Sequence, residues 1–311
     1  MTKIRAIRFH RFGGPEVLKV DEIELSRPKP SQMVVRVKAA SVNPVDFKIR
    51  KGGYPNVGED RPPYAPGRDV SGVVESCGAQ VTKFKPGDEI FGIVGMEGGG
   101  YAEKALLDEN ASARKPSRVD HIHAAAIPLA GQTAWQGLFV HGGLKAGQSV
   151  LIQGGSGGVG HFAVQFAKAK GARVLTTVST ANVAFAKSLG ADVVIDYKTQ
   201  RFEDYASDLD MVLDLIAGET RERSWKLLKR GGVLVTTLSE PSQEKAKAFG
   251  VRALHYYVQA NGAELAEIAG LVDEGRVTPH VEKTYPLEKA ADAQAFVAAG
   301  HTVGKIVLIV N

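Results

Sequence analysis

The run Gly155-Ser156-Gly157-Gly158-Val159-Gly160 places glycine at the first, third and sixth positions of a short turn, directly after Gly154. Glycine at that spacing lets a chain turn tightly, admits an anion against backbone N–H groups and lets a helix pack close to a strand. The flanking residues supply the elements that this chemistry needs. Val150-Leu151-Ile152 reads as a short buried strand, and Phe162-Ala163-Val164 with Phe166-Ala167 reads as one apolar helix face. Strand, turn and helix N-terminus together make a cradle for a dinucleotide pyrophosphate. In that reading Gly155 makes the tight turn, Gly157 admits the pyrophosphate and Gly160 sets helix against strand, with Ser156, Gly158 and Val159 completing the lining. A glycine-rich surface loop is the competing reading, and the order of the surrounding elements weighs against it.

The next strand ends at Val178-Ser179-Thr180-Ala181-Asn182. Sites for NAD place an Asp or Glu at this point to bind the ribose 2′-hydroxyl. No acid stands here, so no carboxylate would repel a 2′-phosphate, and Ser179 and Asn182 supply hydrogen-bond donors for one. The cofactor expected is therefore NADP, as NADPH. Ser and Asn also cap helices, and both roles can hold together.

These residues must be positioned by a regular frame. Strand-like runs follow at Val174–Val178, Val193–Ile195, Met211–Leu213, Val233–Val235 and Val251–Val258, with helical stretches through Phe185–Leu189 up to Gly190 and through Trp225–Leu228 up to Gly231-Gly232. Six strands alternating with helices imply right-handed crossovers and a parallel, doubly wound α/β sheet. The stretch before about Asn110 reads as irregular antiparallel β structure, with Val34–Ala39 and Val70–Glu75 as strands and Lys85-Pro86-Gly87-Asp88 as a turn. Past Ala260 a helix from Ala263 to Glu274, then Pro279 and a strand from Lys305 to Val310 complete the chain.

Composition narrows the function. The chain has 311 residues with a net charge of +5 and 23% charged residues, the mix of a soluble globular protein. Basic residues are scattered, and no aromatic-interleaved basic patch marks a nucleic-acid surface, so no nucleic-acid partner is expected. The single cysteine, Cys77, excludes an intrachain disulfide and a four-cysteine zinc lobe. Met1–Arg8 alternates charge and apolarity like a strand and lacks the apolar core of a secretion signal. With no membrane-length apolar run, a cytoplasmic protein without a membrane partner is expected.

Further motifs recur in a fixed order: Ser41-Val42-Asn43-Pro44-Val45-Asp46, Pro66-Gly67-Arg68-Asp69-Val70-Ser71-Gly72-Val73-Val74, Gly99-Gly100-Tyr101-Ala102-Glu103, Gln132-Thr133-Ala134-Trp135 and Gly300-His301-Thr302-Val303-Gly304-Lys305-Ile306-Val307. With the glycine turn, they make the chain resemble the zeta-crystallin-like quinone oxidoreductase branch of the medium-chain dehydrogenase/reductase superfamily. The resemblance implies a GroES-like β-rich catalytic domain over 1–124 and 260–311, with a Rossmann cofactor domain over 125–259 inserted in it. It also implies a homodimer, with Val251–Val258 the candidate strand for pairing across a two-fold axis.

Zinc alcohol dehydrogenases of that superfamily place a Cys where Asn43 stands and a His within the stretch held by Gly67-Arg68-Asp69. Their replacement here implies a zinc-free site. The activity implied is hydride transfer from NADPH to a quinone or an α,β-unsaturated carbonyl, with the choice between them open. The alternatives are a non-catalytic crystallin-like protein that binds NADPH or RNA, and an alcohol dehydrogenase.

The resemblance also suggests roles for particular residues. Asn43 would donate to the substrate oxygen, or would merely form a turn before Pro44. Tyr54 would shape the substrate pocket, or pack beside Gly52-Gly53. Asp46 would orient its neighbours, or pair with Lys48 or Arg50. Thr133 would lie near the nicotinamide ribose, or start a helix. Tyr197 would stack on the adenine, or stand exposed at a strand end. Ile216 to Gly218 would bring backbone groups near the nicotinamide. Lys305 would reach the cofactor phosphates, or be solvated. Many relatives carry Arg where Val303 stands, which puts in doubt any cofactor contact made there.

Overall fold

Met33, Val35 and Val37 are buried while Arg36 between them is exposed, the period-two pattern that turns one strand face into a core. The strand that carries them, Gln32–Val42, is the hub of a seven-stranded sheet. The computed structural model describes residues 3–55 and 60–311. Met1 and Thr2 of the expected N-terminal strand lie outside the described residues, and the strand runs over Lys3–Arg8. The chain divides into two compact units, one formed by Met1–Leu129 and Ala260–Asn311, the other by Ala130–Gln259.

In the first unit, Gln32–Val42 pairs antiparallel with Asp69–Cys77, Lys104–Asp108 and Lys305–Ile309. Its last residues meet two strands that are remote in sequence, since Ser41 lies opposite Asp69 and Val42 opposite Ile306. Phe9, Met33, Tyr101, Leu107 and Leu308 are among the fully buried core residues. Past Pro279, two elements stand where none was expected, a strand Val281–Pro286 and a helix Ala290–Ala298. That strand runs parallel to Lys305–Ile309, so the sheet is mixed rather than wholly antiparallel.

The second unit holds six parallel strands in the spatial order Val193–Asp196, Arg173–Val178, Ser149–Gln153, Leu209–Asp214, Leu228–Thr236 and Arg252–His255. The order reverses beside Ser149–Gln153, and such switch points are where open α/β sheets leave a crevice at the strand C-termini. The glycine turn follows that strand. Leu151, Leu175, Ile195, Val212, Leu234 and Trp225 fill the core on one side.

The helix expected to run through Trp225–Leu228 ends earlier, and Leu228 already belongs to a strand, Leu228–Thr236. Trp225, Leu227 and Leu228 are all buried, and in a continuous α-helix Leu227 would point nearly opposite to Trp225. Gly231 at φ +81° falls within that strand, so Gly231-Gly232 bends it instead of ending a helix. The sixth strand is also shorter than expected, Arg252–His255. Among the described residues no helix is long and apolar enough to cross a membrane.

Candidate active site and nucleotide cradle

The glycine turn divides its labour differently from the expectation. The left-handed backbone belongs to Gly154, at φ +84°, and not to Gly155. Gly155 is needed for another reason: a Cβ there would lie 2.0 Å from Thr176 Oγ1. A Cβ on Gly160 would lie 2.1 Å from Gly154 O, the close helix–strand approach expected of it. At Gly157 a Cβ would meet only Gly154 O, at an ordinary 3.5 Å. The protein itself therefore leaves room for a side chain at Gly157, and the space is of the kind a pyrophosphate fills. Backbone bonds from Gly155 N to Thr177 O and from Gly157 N to Gly154 O hold the turn against the neighbouring strand. Gly160 then opens the helix Gly160–Ala169, whose first N–H groups face an anion in such an arrangement.

Neither Ser179 nor Asn182 caps a helix through its side chain. Asn182 Nδ2 instead donates to Ser156 Oγ over 3.1 Å, which ties the end of the second strand to the glycine turn. Tyr197 is 52% exposed at the end of Val193–Asp196, and its backbone N–H donates to Val178 O. That pairing brings Lys198, which the sequence reading passed over, beside the end of the second strand. Lys198 is exposed, with Nζ 5.3 Å from the centroid of the Tyr197 ring. No stretch of sequence around Ser179 could show it, because it arrives from the adjacent strand. Asp196 from the same strand lies there too. Its carboxylate, held low chiefly by the Thr180 hydroxyl, also accepts from Lys198 N and Thr199 Oγ1.

Ile216 is 53% exposed after Leu209–Asp214, and its side chain lies over Gly154. Ala217 adopts φ +65°, which costs a residue with a Cβ, and Gly218 follows at φ +56°. Asp214, fully buried, fixes this turn by accepting from Ile216 N at 3.1 Å and Ala217 N at 2.8 Å. Its other oxygen accepts from Arg221 Nε at 2.6 Å. Thr133 is buried inside the helix Pro128–Trp135 and does not start it, and its carbonyl accepts from the Tyr256 hydroxyl.

In the first unit, strand pairing assembles a buried polar cluster from three distant segments. Asn43 directly follows the hub strand and stands at the N-cap of the helix Pro44–Lys51, with Pro44 in its first turn. Asp69 accepts from Ser41 Oγ at 2.6 Å, from Asn43 Nδ2 at 2.8 Å and from Leu129 N at 2.7 Å. Lys305 Nζ donates to Val42 O at 3.1 Å and to Asn43 Oδ1, and lies 3.9 Å from Asp69 Oδ2. Lys305 is 3% exposed. It is neither a solvated strand start nor, in this arrangement, an extended arm toward phosphates, because the sheet turns it inward onto Asn43. Burial pulls its pKa down, against the opposing pull of Asp69 and Asp46.

Asp46 does not pair with Lys48 or Arg50. Arg50 donates to Gln294 Oε1 and Gly13 O, while Asp46 accepts from Asn43 N at 2.8 Å, Gly67 N at 3.2 Å and Tyr101 OH at 2.9 Å. These three donors come from the helix start, the segment before Asp69 and the strand-flanking Tyr101. Tyr54 follows the helix and is half-buried against the apolar core, with Asn56–Glu59 just beyond it outside the described residues.

Burial raises the Asp46 carboxyl to about 6, opposed by the Asn43 N–H and the Tyr101 hydroxyl. An unfolded Asp titrates near 3.9, so between these values the folded chain holds a proton that the unfolded chain releases. The contribution of Asp46 to stability is therefore lost as pH rises from about 4 to 6. Asp46→Asn removes this dependence. Between pH 4 and 7 the unfolding free energy of the variant should gain about 3 kcal/mol relative to the parent, read from urea titrations. A difference that stays flat with pH would show that Asp46 is not raised.

These donors do not suit a zinc ion. Asn43 offers a neutral carboxamide and no soft thiolate, and the ammonium of Lys305 already occupies its oxygen. Among the described residues no three His, Cys, Asp or Glu side chains converge as a metal site. Asp69 is the residue that the sequence reading quoted without giving it a role. Only the pairing of Ser41 with Asp69 reveals it.

Known proteins resemble the chain along most of its length. Residues 29–117 match the model described as an alcohol dehydrogenase GroES-like domain, and residues 189–308 match the one described as a zinc-binding dehydrogenase. The NADPH-dependent alkenal/one oxidoreductase, chloroplastic, of Arabidopsis thaliana is 34% identical, over 98% of this chain and 79% of its own. The structure of the quinone oxidoreductase from Coxiella burnetii superposes with a TM-score of 0.92 at 34% identity, covering 100% of both chains. The Escherichia coli quinone oxidoreductase complexed with NADPH superposes at 0.87 with 28% identity, covering 98% of this chain and 99% of that one.

Proposed function

The chain belongs to the medium-chain dehydrogenase/reductase superfamily and is an oxidoreductase, and on that premise we propose that it reduces quinones or α,β-unsaturated carbonyls with NADPH and without a metal. The observation that carries this reading is the state of the Asn43 carboxamide. An ammonium can only donate and a carboxylate can only accept, so Lys305 and Asp69 together decide which end of the amide is oxygen. One Nδ2 hydrogen goes to Asp69, and the other has no partner among the described residues.

Bound at the glycine turn, NADPH supplies the hydride. The chain's own residues supply orientation and charge stabilisation. Gly157 and the N-terminus of Gly160–Ala169 take the pyrophosphate. Ser179, Asn182 and Lys198 meet the 2′-phosphate, and Tyr197 lies beside the adenine. Thr133 and the turn from Ile216 to Gly218 border the nicotinamide end. In the first unit Asn43 offers its remaining N–H to the substrate oxygen, where negative charge grows as a quinone or enone accepts hydride. A preset donor of this kind is worth roughly a hundredfold in rate. Tyr54 shapes the acceptor pocket.

Steady-state turnover with 1,4-naphthoquinone and with a short 2-alkenal, each with NADPH and with NADH, tests the proposal. NADPH oxidation with at least one acceptor is expected, and the faster acceptor names the substrate class. Lys198→Ala should cut the preference for NADPH over NADH about tenfold, the worth of one exposed charge near a phosphate. If neither acceptor is reduced with either nicotinamide, the proposal fails.

A further inference from the structure

A buried ammonium is costly, and a chain seeking only stability would do as well with apolar residues of similar volume. Lys305 nevertheless sits 3% exposed in the same cluster as the fully buried Asp69. Asp69 does not depend on it for hydrogen bonds, since Ser41, Asn43 and Leu129 already donate to its two oxygens at 2.6–2.8 Å. Lys305 is at most a distant ion-pair partner, its Nζ 3.9 Å from Asp69 Oδ2. Its direct contacts are Val42 O and Asn43 Oδ1. Without that ammonium, the Asn43 side chain keeps the capping contact from Asp46 N–H and its Nδ2 bond to Asp69, but Oδ1 loses its charged donor and the amide its firmest anchor.

We propose that Lys305 is a positioning residue for the reaction: its ammonium, with Asp69, anchors the Asn43 carboxamide so that its remaining N–H is held toward the substrate. This rests on the reductase reading given above. It assigns Lys305 to the Asn43 amide and takes it away from the cofactor phosphates. No bond to substrate is made by Lys305 itself. Asn43 remains the group that touches the reacting molecule.

The test compares Lys305→Met, Lys305→Arg, Asn43→Ala and the double variant Lys305→Met/Asn43→Ala, with NADPH affinity followed by nicotinamide fluorescence. Lys305→Met should lower kcat roughly a hundredfold and leave the NADPH Kd unchanged. The double variant should be no slower than Asn43→Ala, since both changes remove one and the same donor. Lys305→Arg should recover part of the rate. A raised NADPH Kd with kcat intact, or losses that multiply in the double variant, would overturn the proposal and return Lys305 to the phosphates. Because Lys305→Met leaves Asp69 without a neighbouring cation and can weaken the fold, the neutral pair Lys305→Met/Asp69→Asn is measured beside it. A rate that returns with the melting temperature would mean a purely structural role, whereas a folded but slow variant supports positioning. If the parent enzyme reduces no acceptor, the reductase reading falls, and the side-chain amide protons of Asn43 decide the rest by NMR. Slow amide rotation that becomes fast in Lys305→Met supports the anchoring, and unchanged rotation refutes it.

Discussion

Gly157→Val is expected to abolish NADPH binding, raising Kd at least ~100-fold, while the melting temperature stays within about 2 °C of the parent. The three glycines of the turn look equivalent in sequence and are not equivalent in space. A Cβ on Gly155 would press to 2.0 Å on Thr176 Oγ1, and one on Gly160 to 2.1 Å on Gly154 O. Substitution at either forces strand or helix to move, so lost binding there would say nothing about a ligand. Gly157 is different, since its added Cβ meets only Gly154 O at 3.5 Å and its φ lies outside the left-handed region. Folding has little need of glycine at that position. The remaining reason for the missing side chain is the approach of something that is not protein, and the switch point of a parallel sheet is where a pyrophosphate would approach. A fluorescence titration with NADPH beside a thermal scan reads both halves of the expectation. If Gly157→Val binds NADPH normally, the cradle is misassigned; if Gly157→Val unfolds, the steric distinction among the three glycines is wrong.

The same contrast explains what was legible in the sequence. Strand, glycine turn and helix are contiguous, so Val150–Ile152, Gly155–Gly160 and the apolar face through Phe162 and Phe166 declare one another without any long-range contact. The six parallel strands were equally open to reading because buried strands are short apolar runs. Where the period broke, the reading slipped. Trp225, Leu227 and Leu228 looked helical because they are apolar and closely spaced, and the bend at Gly231-Gly232 looked like a stop. The polar cluster of the first unit was legible only in part. Asn43 and Asp46 lie three residues apart at a helix start, so their mutual bond follows from local spacing. Lys305 lies 262 residues from Asn43, and only the antiparallel pairing of Ile306 with Val42 sets them side by side. Lys198 was hidden for a similar reason, because it reaches the end of the second strand from a neighbouring one.

The turn at the end of Leu209–Asp214 carries the largest expected effect on stability. Asp214→Ala should lower stability by about 3–5 kcal/mol, the cost of leaving one member of a buried ion pair unpaired. Asp214 is fully buried and Arg221 is 6% exposed. Besides Asp214, the guanidinium reaches, among the described residues, only hydroxyls, Ser239 Oγ at 3.1 Å and Thr236 Oγ1 at 3.3 Å, which carry no compensating charge. The same carboxylate holds Ile216 N and Ala217 N, and so maintains Ala217 in a conformation it would otherwise leave. Two consequences separate these contributions. Asp214→Ala/Arg221→Leu removes both charges and should recover most of the stability, since the penalty lies in the unpaired charge and not in the missing bond. It should not recover the turn, because nothing then accepts from Ile216 N and Ala217 N. NADPH affinity should thus stay low in the double variant even as its melting temperature returns. Urea unfolding and NADPH titration on the two variants read these outcomes. If Asp214→Ala is as stable as the parent, Arg221 finds another counter-charge or water and the pair contributes nothing. If stability and affinity recover together, the backbone of residues 216–218 does not need Asp214 to face the nicotinamide.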